Sequence, residues 1–366
     1  MSSVLQQEYT HSFPAVRGMQ AGRPCYIAMC PMRLIPKLFV FDEDVVPPEL
    51  RAQRRLNESR IPDIANYLIE NPDSYTLSAI TASIDCSVHF EPMKDTGPAA
   101  NLGLLTIDMD AKILINDGQH RRKAIEQAIK EAHELGHDNI PVLFFVDEGL
   151  ARSQQMFADL NKHAVRPSDS LSTLYDHREA SSELARYVFD QVPCFNKLTD
   201  LEQSSLSKRS SKLFTLSSIK QASRALLGKK GRGKITSEEM LLAADYWASV
   251  CDNMPDWLDA MSRKVSTSDL REQYIHAHGV TLAALGCAGA DLLLQYPNDW
   301  KERVIHLRQL DWSRSNIALW RGRATDARGK LIKSRMNINL TANIIRQAYG
   351  LELCAEDRLL EEQFNS

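Results

Sequence analysis

Ile113-Leu114-Ile115-Asn116-Asp117-Gly118-Gln119-His120-Arg121-Arg122 is the stretch on which the reading of the chain turns. Its first residues alternate like a strand, a tight glycine turn follows, and a helix starts at once. Ala124, Ile125, Ala128, Ile129, Ala132 and Leu135 recur on one helical face, with Gly136 as the expected stop. A strand delivered through glycine to a helix N-terminus gathers free backbone N–H groups and the positive end of the helix dipole, the elements of an anion site. His120, Arg121 and Arg122 stand in the first helical turn, where a positive charge costs a few tenths of a kcal/mol (~0.3 or more) unless an anion offsets it. A phosphate is the natural offset. The plainer reading stays open: Asp117 as N-cap, Gly118 as a turn residue, and both arginines solvated or salt-bridged.

Outward from this segment the first 166 residues alternate between strands and helices. Cys25–Cys30 and Leu38–Phe41 read as short strands. From Pro48 the pattern turns helical, with Ile61, Ile64, Ala65 and Leu68 on one face and Asn71-Pro72 closing the run. Tyr75–Ala82 reads as a strand. Leu104–Asp108 and Lys112–Asn116 read as a strand pair around Met109-Asp110-Ala111. Pro141–Val146 is a buried strand, and Met156, Phe157 and Leu160 belong to a further helix. Past Pro167 the strand signal fades into helices with polar connectors. The expected fold is therefore α+β: a mixed α/β domain over 1–166, then a mainly helical domain over 167–366.

The composition suits a globular chain, with 366 residues, 43% hydrophobic and 25% charged. The net charge of −3 says nothing for nucleic acid globally, but charge is segregated locally. Between Ser207 and Lys234 lie Lys208, Arg209, Lys212, Lys220, Arg224, Lys229, Lys230, Arg232 and Lys234 with no acid. Between Trp312 and Arg346 eight basic residues, among them Arg321 and Arg323, face Asp326 alone. Trp312 and Trp320 either stack on bases or pack in the core. Two such clusters in an otherwise acidic chain favour a phosphate-binding face over a solvated loop and internal ion pairs to Glu356, Asp357, Glu361 and Glu362. Leu216–Leu227 is an amphipathic basic helix, yet no partner helix completes a helix-turn-helix.

Seven cysteines without paired spacing give no zinc half-sites, so reduced thiols and no metal are expected. The longest apolar run, Gly279–Leu294, contains Asp291 and reads as a buried helix rather than a membrane span. No export signal is visible at the N-terminus, and the expected location is the cytoplasm. No Walker-type loop and no Gly-x-Ser-x-Gly elbow occurs.

Asp117-Gly118-Gln119-His120-Arg121 resembles the signature of the DGQHR-domain family. With Gln53-Arg54-Arg55, Arg60-Ile61 and Tyr67-Leu68 before it and Phe157–Lys162 after it, the chain resembles the DndB family, encoded beside DNA phosphorothioation enzymes. That resemblance implies a repressor of the modification gene cluster that binds double-stranded promoter DNA and performs no sulfur transfer. It also implies likeness to the ParB and sulfiredoxin superfamily, whose Gly-x-x-Arg turn, here Gly118 and Arg121, contacts nucleotide phosphates. Gln119 stands where sulfiredoxins carry their cysteine, which excludes that chemistry. The expected phosphate or nucleotide site is Asp117, Gly118, Gln119, His120, Arg121 and Arg122. The expected DNA contacts are Lys208, Arg209, Lys212, Lys229, Lys230, Arg232, Lys234, Arg321 and Arg323. The alternative is an accessory NTPase using ATP or CTP with a divalent metal, with Asp117 positioning metal or water and Gln119 orienting the phosphate. A third reading is an adaptor for the other phosphorothioation proteins, docking through the acidic Leu351–Ser366 segment. A twofold operator would imply a homo-oligomer, though no heptad seam is visible.

Overall fold

The computed structural model describes residues 9–39, 60–146, 156, 159–160, 167–229 and 233–365. The chain divides into two compact units, Met1–Val165 and Arg166–Ser366.

Unit 1 is built on a mixed seven-stranded sheet. Its strands are β1 (Thr10–Gln20), β2 (Arg23–Pro31), β3 (Ile80–Ile84), β4 (His89–Pro92), β5 (Leu102–Asp108), β6 (Ile113–Asp117) and β7 (Asn139–Val146). They lie in the order β4-β5-β1-β2-β7-β3-β6, and only β3 and β7 run parallel. Helices α1 (Arg60–Glu70) and α2 (Gln119–Glu131) bury Ala65, Leu68, Ala124, Ile125 and Ala128 in one core with Ile80, Ala82, Ile84, Ile115, Val142 and Phe144. Each large apolar side chain buried there contributes about 1.5–3 kcal/mol.

The mixed α/β character expected of this half is present, with differences in detail. The strands expected around Met109-Asp110-Ala111 both form, but they do not pair with each other. β5 lies between β1 and β4, and β6 lies at the far edge beside β3. Asp85 decides this. Its carboxylate accepts from the Lys112 N–H (2.8 Å) and its own N–H donates to the Lys112 carbonyl (3.2 Å), closing β3 onto β6. The strand expected over Tyr75–Ala82 starts only at Ile80, because the Thr76 N–H donates to the Tyr67 hydroxyl (2.8 Å) and not to a neighbouring strand. The run expected at Leu38–Phe41 is instead the end of a helical turn, Ile35–Leu38, with Pro36 in its first positions; 40–41 lie outside the described residues. α2 stops at Glu131, and Gly136 falls in a 3₁₀ turn, His133–His137. Met156, Asp159 and Leu160 are helical, whereas Phe157, Asn161, Lys162 and Gln53–Arg55 lie outside the described residues.

Unit 2 is helical, as expected. In chain order its longer elements are α3 (Asp169–Tyr175), α4 (Ala180–Gln191), α5 (Pro193–Leu198), α6 (Leu216–Leu226), α7 (Ser237–Asp252), α8 (Pro255–Met261), α9 (Thr267–Gln273), α10 (Gly279–Gln295), α11 (Trp300–Val304), α12 (Arg335–Ala348) and α13 (Ala355–Asn365). Among its described residues the only strands are a two-residue parallel pair, Thr199–Asp200 with Phe214–Thr215. α10 is the buried helix read from Gly279–Leu294, and no described helix is long and apolar enough to cross a membrane. Small residues let its neighbours approach: a methyl on Gly286 would lie 2.2 Å from the Ala222 carbonyl oxygen of α6, and one on Gly289 would lie 2.4 Å from Tyr246 of α7.

Trp312 and Trp320 stack on each other with ring centroids 5.6 Å apart, and both are buried. Of their two readings the core one holds. Cys194 on α5 and Cys251 on α7 are joined by a disulfide with Cα atoms 6.3 Å apart. This corrects the expectation of seven reduced thiols; a separation of 57 residues carries no spacing signal that could have shown the pair.

Candidate phosphate-binding sites

At the strand-to-helix turn of unit 1, Gly118 adopts φ 109°, which favours glycine. A methyl there would also press within 3.0 Å of Ile80 and 3.1 Å of the Arg121 guanidinium, so nothing larger fits. α2 begins immediately, with no side-chain cap and no acidic residue in its first turn. Asp117 pairs with Arg121 across one turn at 2.7 Å, and Arg121 also donates to the Ala79 carbonyl at 3.0 Å. Arg122, whose side chain is 8% exposed, turns inward to Glu126 (2.7 Å) and the Pro36 carbonyl (2.9 Å). Gln119 is buried and donates to the Ile115 carbonyl. Burial lowers the His120 pKa, the Arg60 and Arg121 charges lower it further, and Asp117 opposes them weakly, so the imidazole is neutral at neutral pH.

The turn therefore gathers Asp117, Gly118, His120 and Arg121, while Gln119 and Arg122 face the interior. Asp117 and Glu126 supply part of the offset that the sequence assigned to a bound anion. The offset is partial: the Nε atoms of Arg121 and Arg122 are buried without a hydrogen-bond partner.

Unit 2 holds a cleft of about 1180 Å³. Its walls bring together Lys208, Lys220, Arg224, Lys229, Arg271, Arg314 and Lys333, against the carboxylates Asp169 and Glu272. Elements far apart in sequence position these groups. α6 carries Lys220 and Arg224 and is started by a capping box in which Thr215 and Ser218 bond each other's backbone. Arg271 of α9 fixes the loop bearing Lys208, donating to the carbonyls of Ser207, Lys208 and Ser210, all at 2.9 Å. Two lining cations are neutralised from outside the lining: Lys220 by Glu179 (2.5 Å) and Lys229 by Glu239 (2.8 Å).

A protein-family model described as DndB, DNA-sulfur modification-associated, matches residues 13–352 and so spans both the turn and the cleft. The chain belongs to the DndB family. No curated protein and no solved structure matches it.

In this DndB-family chain the expected DNA contacts separate into groups. Lys208 and Lys229 line the cleft. Arg209, Lys234 and Arg321 are exposed, and Lys212 donates to the Lys197 carbonyl at 2.7 Å. Lys230 and Arg232 lie outside the described residues. Arg323 is a correction: it is buried, paired with both carboxylate oxygens of Glu361 (2.7 and 2.5 Å), and lies 4.4 Å from the Phe364 ring centre. The acidic C-terminal segment expected to dock a partner spends Asp357 and Glu361 inside unit 2, on Arg346 and Arg323. Sequence reading did not single out Arg271, His278, Arg314 or Lys333 as site residues; Arg314 and Lys333 fall in the basic run from Trp312 to Arg346, whereas no local spacing marks Arg271 or His278. Among the described residues no cluster of three or more His, Cys, Asp or Glu could hold a metal ion.

Proposed function

We propose that this DndB-family protein is a DNA-binding regulator of a DNA-sulfur-modification gene cluster, repressing it from its own promoter in the cytoplasm. Unit 2 would hold the phosphate backbone. The observation that carries the reading is the convergence of seven cations on one cleft in a chain whose net charge is −3. Segregation of that kind supports polyanion binding. Lys208, Arg209, Lys229 and Lys234 would make backbone contacts at the cleft and around it. Four phosphate contacts would lower log K by about 3 to 4 for each log unit of salt. The double variant Lys208→Glu, Arg209→Glu is expected to reduce that slope by about 2. An unchanged slope, measured by fluorescence anisotropy with a labelled duplex, would remove this face from the mechanism. The other DNA-modification proteins are the second class of partner that the family link supports.

The turn of unit 1 favours a second reading, nucleotide binding, because α2 starts without a side-chain cap beside two unpaired arginine Nε atoms. ATP or CTP with a divalent metal would place phosphate there, and Asp117 is the group to hold metal or water. Phosphate release that depends on the metal and is lost in Asp117→Asn is the expected result. Release that survives in the folded variant would sink this reading.

A further inference from the structure

The unit 2 cleft has a character that a backbone-binding face does not require. At about 1180 Å³ it is a half-open cleft just above the roughly 300–1,000 Å³ typical of small-molecule sites, with room for a molecule of several linked phosphates. Most of its lining residues are polar or charged. Apart from Leu206, Leu213, Ala225 and Ala277, the walls are cations, serine and threonine hydroxyls and a few other polar groups.

One corner concentrates positive potential. α10, 17 residues long, begins at Gly279 without a side-chain cap, so its first N–H groups and dipole end face this space. A methyl on Gly279 would stand 3.3 Å from Lys333 Nζ and 3.4 Å from Ser218, which places the ammonium and a serine against the helix start. Beside them Arg314 Nη2 donates to the Arg271 carbonyl and lies 2.6 Å from His278 Nε2, which is itself 2.8 Å from that carbonyl. Burial holds the His278 pKa down to about 4, the hydrogen bond to the Arg271 carbonyl opposes this, and the Arg314 and Arg271 charges add to the lowering, so the ring is neutral. Arg314 Nε is buried with no partner at all. A buried donor left unpaired costs about 1–3 kcal/mol. No ion pair to Lys333, Arg314 or Lys208 occurs among the described residues, in contrast to Lys220 and Lys229.

We infer that this cleft is a binding site for a free small molecule bearing two or more linked phosphoryl groups. One phosphate cannot engage cations supplied by five separated segments; a chain of phosphates can reach both the α10 corner and the α6 wall. The acceptor that Arg314 lacks would be a phosphate oxygen. The site stands on the cleft geometry alone. Its regulatory consequence rests on the DNA-binding reading: the ligand takes up cleft cations and competes with DNA backbone.

The test titrates the full-length chain with inorganic tripolyphosphate by calorimetry. Lys333 is exposed as a residue, its ammonium lies in the cleft wall, and it makes no ion pair or hydrogen bond among the described residues, so Lys333→Ala is expected to keep the fold. Saturable one-to-one binding that weakens at least tenfold in Lys333→Ala, and is unchanged in the exposed control Arg321→Ala, is the expected result. No saturable binding, or equal affinity in Lys333→Ala, overturns the site. ATP is expected to displace tripolyphosphate; a thymidine hexanucleotide that displaces it better than ATP would overturn the free-ligand assignment in favour of a nucleic-acid strand. Duplex binding is measured on the same preparations. If duplex binds and tripolyphosphate does not, only this inference falls; if tripolyphosphate binds and duplex does not, only the regulator reading falls.

Discussion

Arg323→Ala is expected to lower the stability of unit 2 by about 3 kcal/mol or more, because removing one member of a buried pair strands the other. The Arg323 and Glu361 side chains are 9% and 15% exposed, and the guanidinium spans both carboxylate oxygens while also donating to the Leu340 carbonyl. Alanine leaves Glu361 with Asn343 as its remaining donor, at 2.8 Å. Lysine cannot supply two parallel N–H groups, so Arg323→Lys recovers little of the loss. The pair also has a pH signature. Burial pushes the Glu361 carboxyl up, but hydrogen bonds from Arg323 and Asn343 and the Arg323 charge outweigh it and hold the group below its ordinary 4.5. A carboxyl lowered in the folded state stabilises fully above its unfolded value, and that contribution disappears as pH falls through the lower folded value. The difference between wild type and Arg323→Ala in urea midpoint is thus expected to be largest near neutral pH and to shrink in acid. DNA affinity of the folded variant should equal that of the wild type. A variant as stable as wild type but weak in DNA binding would return Arg323 to the nucleic-acid surface.

Gly286→Ala is the second large effect, argued from space rather than charge. The added methyl would stand 2.2 Å from the Ala222 carbonyl oxygen, 3.0 Å from its carbon and 3.3 Å from its Cα, all backbone atoms of α6. Backbone cannot swing aside as a flexible side chain can, so the two helices must part. Overpacking of this kind costs about 3 kcal/mol, the upper end of the usual range. For a unit of some 200 residues that is a fall in melting temperature of roughly 6–12 °C. The effect should reach function, because α6 carries Lys220 and Arg224 into the cleft. Weaker tripolyphosphate binding in the fraction that remains folded is expected alongside the lower melting temperature. A variant that melts within a degree of wild type would show that α6 and α10 do not cross as closely as described.

What could be read from the sequence follows how local its cause is. α2 and α6 were legible because their apolar periodicity lies within each helix, and α10 and β7 because a continuous apolar run has few alternatives. The β1–β2 hairpin turns on Ala21 and Gly22, with φ 49° and 74°, and alanine gives no warning of a positive φ. Partner choice escaped as well. Met109-Asp110-Ala111 looks like a hairpin turn, yet the pairing of β6 is settled by Asp85, twenty-seven residues from Lys112 in the chain. The same limit applies to charge. The run from Arg321 to Arg335 has one surplus of positive charge, but Arg321 points outward and Arg323 reaches Glu361, thirty-eight residues away. The DGQHR turn was found because strand, glycine and helix start are adjacent. The cleft was only half found: Lys208 and Lys229 sit in one basic run and Arg314 and Lys333 in the other, whereas Arg271 lies in neither, and only the packing of α6, α9 and α10 brings them together.

The central claim, that this DndB-family chain reads DNA through unit 2, is tested most directly by its affinity for a labelled duplex from upstream of its own gene cluster. An unrelated duplex of equal length, at the same two salt concentrations, is the comparison. The account predicts a preference of about a thousandfold for the upstream duplex, the range of specific readers, on top of an affinity that falls with salt for both. Equal affinity for the two duplexes at both salts would contradict it.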